Sequence, residues 1–343
     1  MKRAFMIITF SLLMAFAGIF AQIPSALAAN KARIGAATIA PTMSTYPAMV
    51  ALTDFLNKNT NLDITLSSVA GSTAIATSVE QMSETGMGMG FSLPIAMVVA
   101  AYHGTIEYQG KPNKSLRMMY LNFWEYSSMY TTPGTGITDL SQAKGKRFPL
   151  YTRTRNAHYP PVFDAYGIDY NKDLKLIKVP SPDASAKALS LGKLDIAGGT
   201  IAGGKIIAVA EAAGGVLVLP IDPKKFAAAK AKYPMDLVGF NIVMLPPGEV
   251  PGVINKEPTP VMDFKLTSFA HKDLPNAVVY ACVKAILDNA ATVQGLHREL
   301  KKFSLDTVAP VINVPYHPGA VKALKEKGIW TATHEKMQQD LLK

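Results

Sequence analysis

The feature that most constrains this chain is a repeated order of segments: a short apolar strand, a polar loop and an amphipathic helix. The first unit combines an apolar stretch at 33–37, a Thr- and Ser-rich segment at 38–47 and a helix with apolar residues at helical spacing. Two further strands are predicted at 63–69 and 86–92, each followed by a helix. Such units build mainly parallel sheets, and their loops gather at the C-terminal ends of the strands, where ligands bind.

A second series of predicted strands begins at 146–150, continues at 174–179 and reaches 194–197. The chain has 343 residues, which exceeds the roughly 100 to 200 residues of a typical domain. We therefore interpret the two series as two lobes. A later strand is predicted at 263–269, and a cluster of Pro and Gly at 246–252 is a candidate crossover between the lobes.

The N-terminus predicts export. Lys2 and Arg3 precede an apolar run at 4–21, and Ala26-Leu27-Ala28 forms a small-residue cleavage site, which together predict a secretory signal over residues 1–28. An uncleaved membrane anchor is the alternative. After residue 30 the sequence contains no second apolar stretch long enough to span a bilayer. We expect a periplasmic protein beginning at Ala29.

The charge of the chain does not predict a nucleic-acid partner. Lys and Arg number 35 against 25 Asp and Glu, a net charge of +10, and loss of Lys2 and Arg3 leaves 10 − 2 = +8. These basic residues are scattered, with no aromatic-lined basic stripe. Cys282 is the single cysteine, so no disulfide forms within the chain, and its apolar helical setting predicts a buried, inert thiol.

Catalytic and cofactor motifs are missing from the sequence. The glycines at 86–91 alternate with Met and Phe, so they do not match the spacing of a dinucleotide-binding loop. The six histidines show no zinc-binding spacing, and there is no G-x-S-x-G elbow. We expect a binding protein rather than an enzyme, with no cofactor and no metal.

The order of several short motifs resembles the TAXI family of substrate-binding proteins for tripartite ATP-independent periplasmic (TRAP) transporters. The resemblance extends over essentially the whole mature chain and is carried by the segments at 34–36, 46–47, 70–72, 136–140, 144–147, 188–195, 273–275, 279–280, 315–320 and 327–328. The block Pro315-Tyr316-His317-Pro318-Gly319-Ala320 is the most specific of them. The chain differs from the family's glycine-rich loops at 38–45 and 151–156, and has Val250 where the family has Tyr before Pro-Gly.

The resemblance implies an α/β protein with the type II periplasmic-binding-protein fold: two α/β lobes joined by crossover segments, with a ligand cleft between them. It places the first part of lobe I at 29–135, lobe II at 136–250, and the second part of lobe I with the C-terminal helices at 251–343. The implied ligand is a small organic anion, delivered by a monomeric receptor to TRAP membrane subunits. A similar receptor for an ABC importer or a sensor kinase is the first alternative, and a periplasmic enzyme the second.

Candidate ligand contacts lie in the loops at the strand ends. Hydroxyl groups there belong to Thr38, Thr42, Ser44, Thr45, Tyr46, Ser72, Ser92 and Thr200. Arg153 and Arg155 follow a predicted strand, and a guanidinium group suits a carboxylate, sulfonate or phosphate; an exposed surface pair is the alternative. For Ser72 the alternative is a helix N-cap. Phe123, Tyr126 and Tyr151 are candidates for stacking on a flat ligand group, with core packing as the alternative.

Overall fold

A computed structural model describes residues 31–41, 43, 45–152, 156–201 and 204–343. The predicted signal segment at 1–28 lies outside the described residues, as do four of the candidate contacts: Thr42, Ser44, Arg153 and Arg155.

Ten strands and twelve α-helices form the described part of the chain. The strands are β1 Ala32–Thr38, β2 Leu62–Ser68, β3 Met87–Pro94, β4 Leu116–Thr131, β5 Arg147–Tyr151, β6 Lys175–Val179, β7 Ala197–Thr200, β8 Leu217–Val218, β9 Ile242–Leu245 and β10 Thr259–His271. The helices are α1 Tyr46–Asn59, α2 Ser72–Glu80, α3 Met82–Thr85, α4 Ile95–His103, α5 Tyr159–Asp164, α6 Pro182–Ser190, α7 Gly204–Ala213, α8 Pro223–Lys232, α9 Asn276–Asp288, α10 Ala290–Leu296, α11 Pro318–Glu326 and α12 Ala332–Leu342.

The first lobe is built on the predicted parallel strands. β2, β1 and β3 lie side by side in parallel, and the antiparallel strand β10 follows β3 in the sheet. Helix α1 buries the apolar face that the spacing predicts, including Met49, Leu52 and Leu56, against this sheet. One hydrophobic core, which also takes in α2, α4, α9 and α11, holds the lobe together.

Two long antiparallel strands, β4 and β10, are shared by the two lobes. β10 pairs with β3 near its C-terminal end and with β9 near its start, and β4 pairs with β7 and β8 near its end. The Pro and Gly cluster at 246–252, a candidate crossover, lies in the turns between β9 and β10. The Pro and Gly residues therefore lie in turns. Strands β4 and β10, which pair with strands of both lobes, connect one lobe to the other.

The second lobe differs from the predicted run of three parallel strands. β5 and β6 form a separate parallel pair, whereas β7 joins the large sheet antiparallel to β4 and begins at Ala197 rather than at 194. Leu194 and Ile196 are buried, so the apolar run was a correct sign of burial but not of strand bounds. Helices α5 and α8 share one core with this pair, and α6 and α7 share another with β7 and β8.

Cys282 lies in α9 with its side chain fully buried, as predicted. Burial in apolar surroundings raises the pKa of its thiol to about 12, so very little thiolate forms near neutrality. We expect no reaction of native protein with a thiol-specific chromogenic disulfide at pH 8, and one thiol per chain in guanidinium. A fast reaction of the folded protein would contradict this burial.

A helix that crosses a membrane must be both long and apolar. Among the described residues, none of the helices combines the length and apolarity that crossing a bilayer requires.

Candidate functional site

A cavity of about 70 Å³ lies between the two lobes. The first lobe contributes Ile39, Met43, Thr45, Ser72, Ser92, Pro94 and Met97 to its lining. The shared strands contribute Glu125, Ser127, Phe264 and Leu266, and the second lobe contributes Tyr151, His158, Tyr159, Pro182, Gly199, Thr200 and Lys205. The cavity therefore has walls from both lobes and a floor from the strands that join them.

Helix N-termini converge on this cavity. Thr45 immediately precedes α1, Ser72 is the first residue of α2, Pro94 precedes α4, Pro182 begins α6 and Lys205 is the second residue of α7. The first N–H groups of a helix have no partner within it, and the helix dipole makes that end positive. Five such ends around one cavity create a site that favours an anion.

Lys205 adds a basic side chain to the cavity wall. Its Nζ donates a hydrogen bond to Thr200 Oγ1 at 2.9 Å. Burial lowers the pKa of Lys205, and the negative charges of Glu125, Asp183 and Glu299 oppose that shift. Thr200 lies opposite Ser127 in the pairing of β7 with β4, so sheet register fixes the hydroxyl that holds this ammonium group.

Glu125 places a carboxyl group on the cavity floor. It lies in β4, its side chain is 3% exposed, and its Oε1 has no hydrogen-bond partner. Burial, and then the nearby Glu299 carboxylate, raise the pKa of Glu125 to about 7; Lys205 and Lys302 act in the opposite direction. A buried polar atom without a partner is costly and marks a site where a ligand group can supply one.

Ser92, two residues before the end of β3, has a second buried polar atom without a partner among the described residues. Its backbone φ is +62°, a left-handed conformation that is uncommon outside glycine, and its buried Oγ lacks a hydrogen-bond partner. Strained backbone of this kind clusters at functional sites. Ser72 lines the cavity too, but the N-cap of α2 is Gly71 and no side chain caps this helix, so the N-cap interpretation of Ser72 is wrong.

Aromatic rings form the second-lobe wall. The Tyr151 hydroxyl donates to the Gly198 carbonyl and lies 3.0 Å from Ser185 Oγ, which fixes its ring, and burial raises the pKa of Tyr151 to about 12. A Cβ at residue 198 would lie 2.7 Å from the Tyr159 hydroxyl, so only glycine fits beside that ring. These rings give the cavity an apolar, shaped side opposite the first lobe's hydroxyl groups.

The sequence pattern of the NMT1-like family matches residues 34–328. The chain belongs to the NMT1-like family. Two solved structures share its fold: MatC from Rhodopseudomonas palustris with bound malate, and a protein described as a periplasmic transporter. MatC is 14% identical, with 91% of this chain and 99% of MatC aligned at a TM-score of 0.50. The second is 15% identical over 94% of this chain and 98% of its own, also at 0.50. The expected two-lobe α/β periplasmic-binding fold is confirmed.

Five of the candidate residues line the cavity of this NMT1-like protein: Thr45, Ser72, Ser92, Tyr151 and Thr200. Thr38 is fully buried, and its hydroxyl donates to the Phe91 carbonyl at 3.4 Å. Tyr46 packs on the core of the first lobe. These two side chains are therefore not among those that line the cavity.

Phe123 and Tyr126 of the NMT1-like chain also lie away from the cavity lining. Phe123 is fully buried in the first-lobe core. Tyr126 packs edge-to-face on Trp124 at 5.1 Å, with the Lys302 ammonium 3.7 Å from its ring centre. Side chains alternate along a strand, so Trp124 and Tyr126 lie on the opposite face from Glu125. The surroundings of Phe123 and Tyr126 therefore agree with core packing, the alternative interpretation.

Arg153 and Arg155 of the NMT1-like chain lie outside the described residues, but the described residues on either side of them meet at the cavity. The Tyr151 N–H donates to Asn156 Oδ1 at 2.9 Å, and Asn156 Nδ2 donates to the Tyr151 carbonyl at 2.7 Å. Tyr151 before the loop and His158 after it both line the cavity. The described residues that flank the two arginines in the sequence therefore lie beside the site.

Sequence reasoning missed Glu125 and Lys205. Glu125 had one usable signal, a single carboxylate within a 16-residue strand of mainly apolar and aromatic residues. Lys205 follows the Gly198-Gly199-Thr200 strand end at the start of a helix, a position that the fold turns toward the ligand cleft. Both are charged residues whose burial depends on contacts between distant segments.

Proposed function

We propose that this chain is an exported solute receptor that captures a small organic anion in the cavity between its lobes. The observation that carries the proposal is the convergence of five helix N-termini and the Lys205 ammonium group on one cavity. The hydroxyl groups of Thr45, Ser72 and Ser92 add hydrogen-bond donors from the other lobe. Capture, rather than chemistry on the ligand, is the role we assign to the site.

Binding would shift an equilibrium between open and closed arrangements of the lobes. Ligand contacts from both walls exist together only when the lobes are close, so the ligand favours the closed arrangement. Strands β4 and β10 are the connections about which such closure would occur. A micromolar affinity requires about 8 kcal/mol, and charge-assisted hydrogen bonds with modest apolar burial can supply this.

We further propose that the receptor serves a TRAP transporter as a member of the TAXI group, in the periplasm, as a monomer. This assignment rests on the motif order described above. Delivery to an ABC importer or a sensor kinase is the alternative. Reconstituting uptake in vesicles with the candidate TRAP membrane subunits separates them, because TRAP uptake follows an ion gradient and needs no ATP.

The experiment that tests anion capture is a thermal-shift screen of the purified protein against carboxylates, sulfonates, neutral sugars and amines. Malate belongs in the panel because MatC, which shares the fold, holds it. We expect organic anions to raise the melting temperature. Stabilisation by sugars or amines alone would reject the proposal. An enzyme would convert the hit, whereas a receptor returns it unchanged after denaturation, as mass spectrometry would reveal.

Replacing Arg153 or Arg155 with Ala tests the proposal that these side chains contact the ligand. At least one of the two variants is expected to bind the anionic hit about 10- to 100-fold more weakly in calorimetry, because a charge-assisted hydrogen bond contributes about 1.5–3 kcal/mol. Arg33→Ala is the matched control, since that side chain is 90% exposed at the start of β1. Affinities equal to the control in both variants would remove the arginines from the site.

A further inference from the structure

We infer that Glu125 selects among anions, so that the ligand is an organic acid which also carries a hydrogen-bond donor, a hydroxyl or an ammonium group. This inference rests on the proposed function, which supplies the anionic group of the ligand. It adds a second requirement at a specific residue of the cavity floor.

Glu125 has one buried oxygen to which no other group of the described residues hydrogen-bonds. Its side chain is 97% buried yet lines the cavity, and its Oε1 has no hydrogen-bond partner. An unsatisfied buried group costs about 1–3 kcal/mol, and more when it is charged. A ligand hydroxyl or ammonium group placed against this carboxyl removes that cost, whereas a ligand with acceptors alone sets oxygen against oxygen.

The requirement for a ligand donor is strongest when Glu125 is ionised, because a carboxylate has acceptor oxygens only. The protonated form has one O–H donor, which the side-chain hydrogen bond between Glu125 and Glu299 can occupy, and it keeps its carbonyl oxygen as an acceptor. The charged groups that act on Glu125 are Lys205, Lys302 and Glu299, and Glu299 also shares a side-chain hydrogen bond with it. Lys302 lies over the rings of Trp124 and Tyr126, and Glu299 pairs with Arg298 at 3.3 Å. The Glu125 carboxyl group therefore lies near the Glu299 carboxyl group and also lines the cavity.

The spacing of the two polar groups fits a small bifunctional molecule. Ser127 is two residues beyond Glu125 on the same face of β4, and it pairs with Thr200, which holds Lys205. Two residues of a strand advance by about 7 Å. One small acid can therefore present its anionic group to Lys205 and Thr200 while a nearby donor on the same molecule contacts Glu125.

The test compares matched acids by calorimetry: succinate, malate and aspartate, and then glutarate, 2-hydroxyglutarate and glutamate. Within at least one series we expect a donor-bearing member to bind at least 10-fold more tightly than the unsubstituted acid. Comparing the hydroxy acids with the amino acids also shows whether the site prefers a hydroxyl or an ammonium donor. Affinity for an amino acid should rise between pH 6 and 8 as Glu125 ionises, whereas affinity for a hydroxy acid should change much less.

The Glu125→Gln variant separates this inference from the proposed function. It keeps the shape of the side chain but presents an amide that both donates and accepts, so we expect the preference to fall below threefold. Glu84→Gln, at an exposed residue of α3, is the control and should keep the preference. Circular dichroism would verify that both variants fold.

The possible results divide clearly. If acids bind but the unsubstituted member binds as tightly as its partners, or if Glu125→Gln keeps the full preference, the selectivity of Glu125 is rejected and anion capture stands. If neither these acids nor any other organic anion binds, the proposed function fails and the inference fails with it.

Discussion

Replacing Lys205 with Met is expected to weaken binding of the organic anion about 100-fold. Among the described residues that line the cavity, Lys205 is the one Lys or Arg, and its ammonium group is held by Thr200 at 2.9 Å. Removing one partner of a buried, charge-assisted contact costs about 2–5 kcal/mol, because the other charge stays buried and unpaired. Methionine keeps most of the length and apolar volume, so calorimetry reports chiefly on the lost charge.

Two comparisons make the Lys205 result interpretable. Thr200→Val keeps the charge but removes the hydroxyl that positions it, so a loss of only a few-fold is expected. Lys336→Met, on the exposed side of α12, should bind as the unmodified protein does. A Lys205→Met variant that binds within threefold of the unmodified protein would show that Lys205 does not hold the anion.

The first lobe was predictable because its signals are local. β1 and α1 follow from an apolar run and from apolar residues three and four apart, and the burial of Ala36, Met49 and Leu52 agrees with both patterns. The pairing of β7 with β4 was not predictable in the same way. It joins residues about seventy positions apart, and a four-residue strand with two glycines has no local preference for one partner.

The residues of the candidate site also differ in whether a local signal in the sequence could identify them. Ser72, Ser92 and Thr200 could be chosen because the C-terminal edge of a sheet collects loops, whatever the details of packing. Phe123 and Tyr126 could not be assigned, since an aromatic pattern predicts burial equally well in a core or in a cleft. Glu125 and Lys205 approach each other only because two lobes meet, and no spacing in the sequence records that contact.

A last consequence of the buried carboxyl concerns stability without ligand. The pKa of Glu125 is raised to about 7 in the folded chain, mainly by burial, from a value of 4.5 for the free side chain. The folded state therefore binds more protons than the unfolded state between these values, and its stability decreases as pH rises. The contribution is fully present below about pH 4.5 and is lost as pH passes about 7.

Glu125→Gln should therefore melt at a higher temperature than the unmodified protein at pH 8, with a much smaller difference at pH 5. A shift from 4.5 to about 7 corresponds to about 3 kcal/mol as an upper bound, or a difference of a few degrees. Calorimetric melts of both proteins at each pH measure this difference, with Glu84→Gln as the exposed control.

A difference that is the same at pH 5 and pH 8 would mean that Glu125 is ionised throughout, paired by a lysine rather than held as a neutral acid. The receptor would then meet its ligand with a fixed negative charge on the cavity floor, and a ligand ammonium group would be favoured over a hydroxyl at every pH.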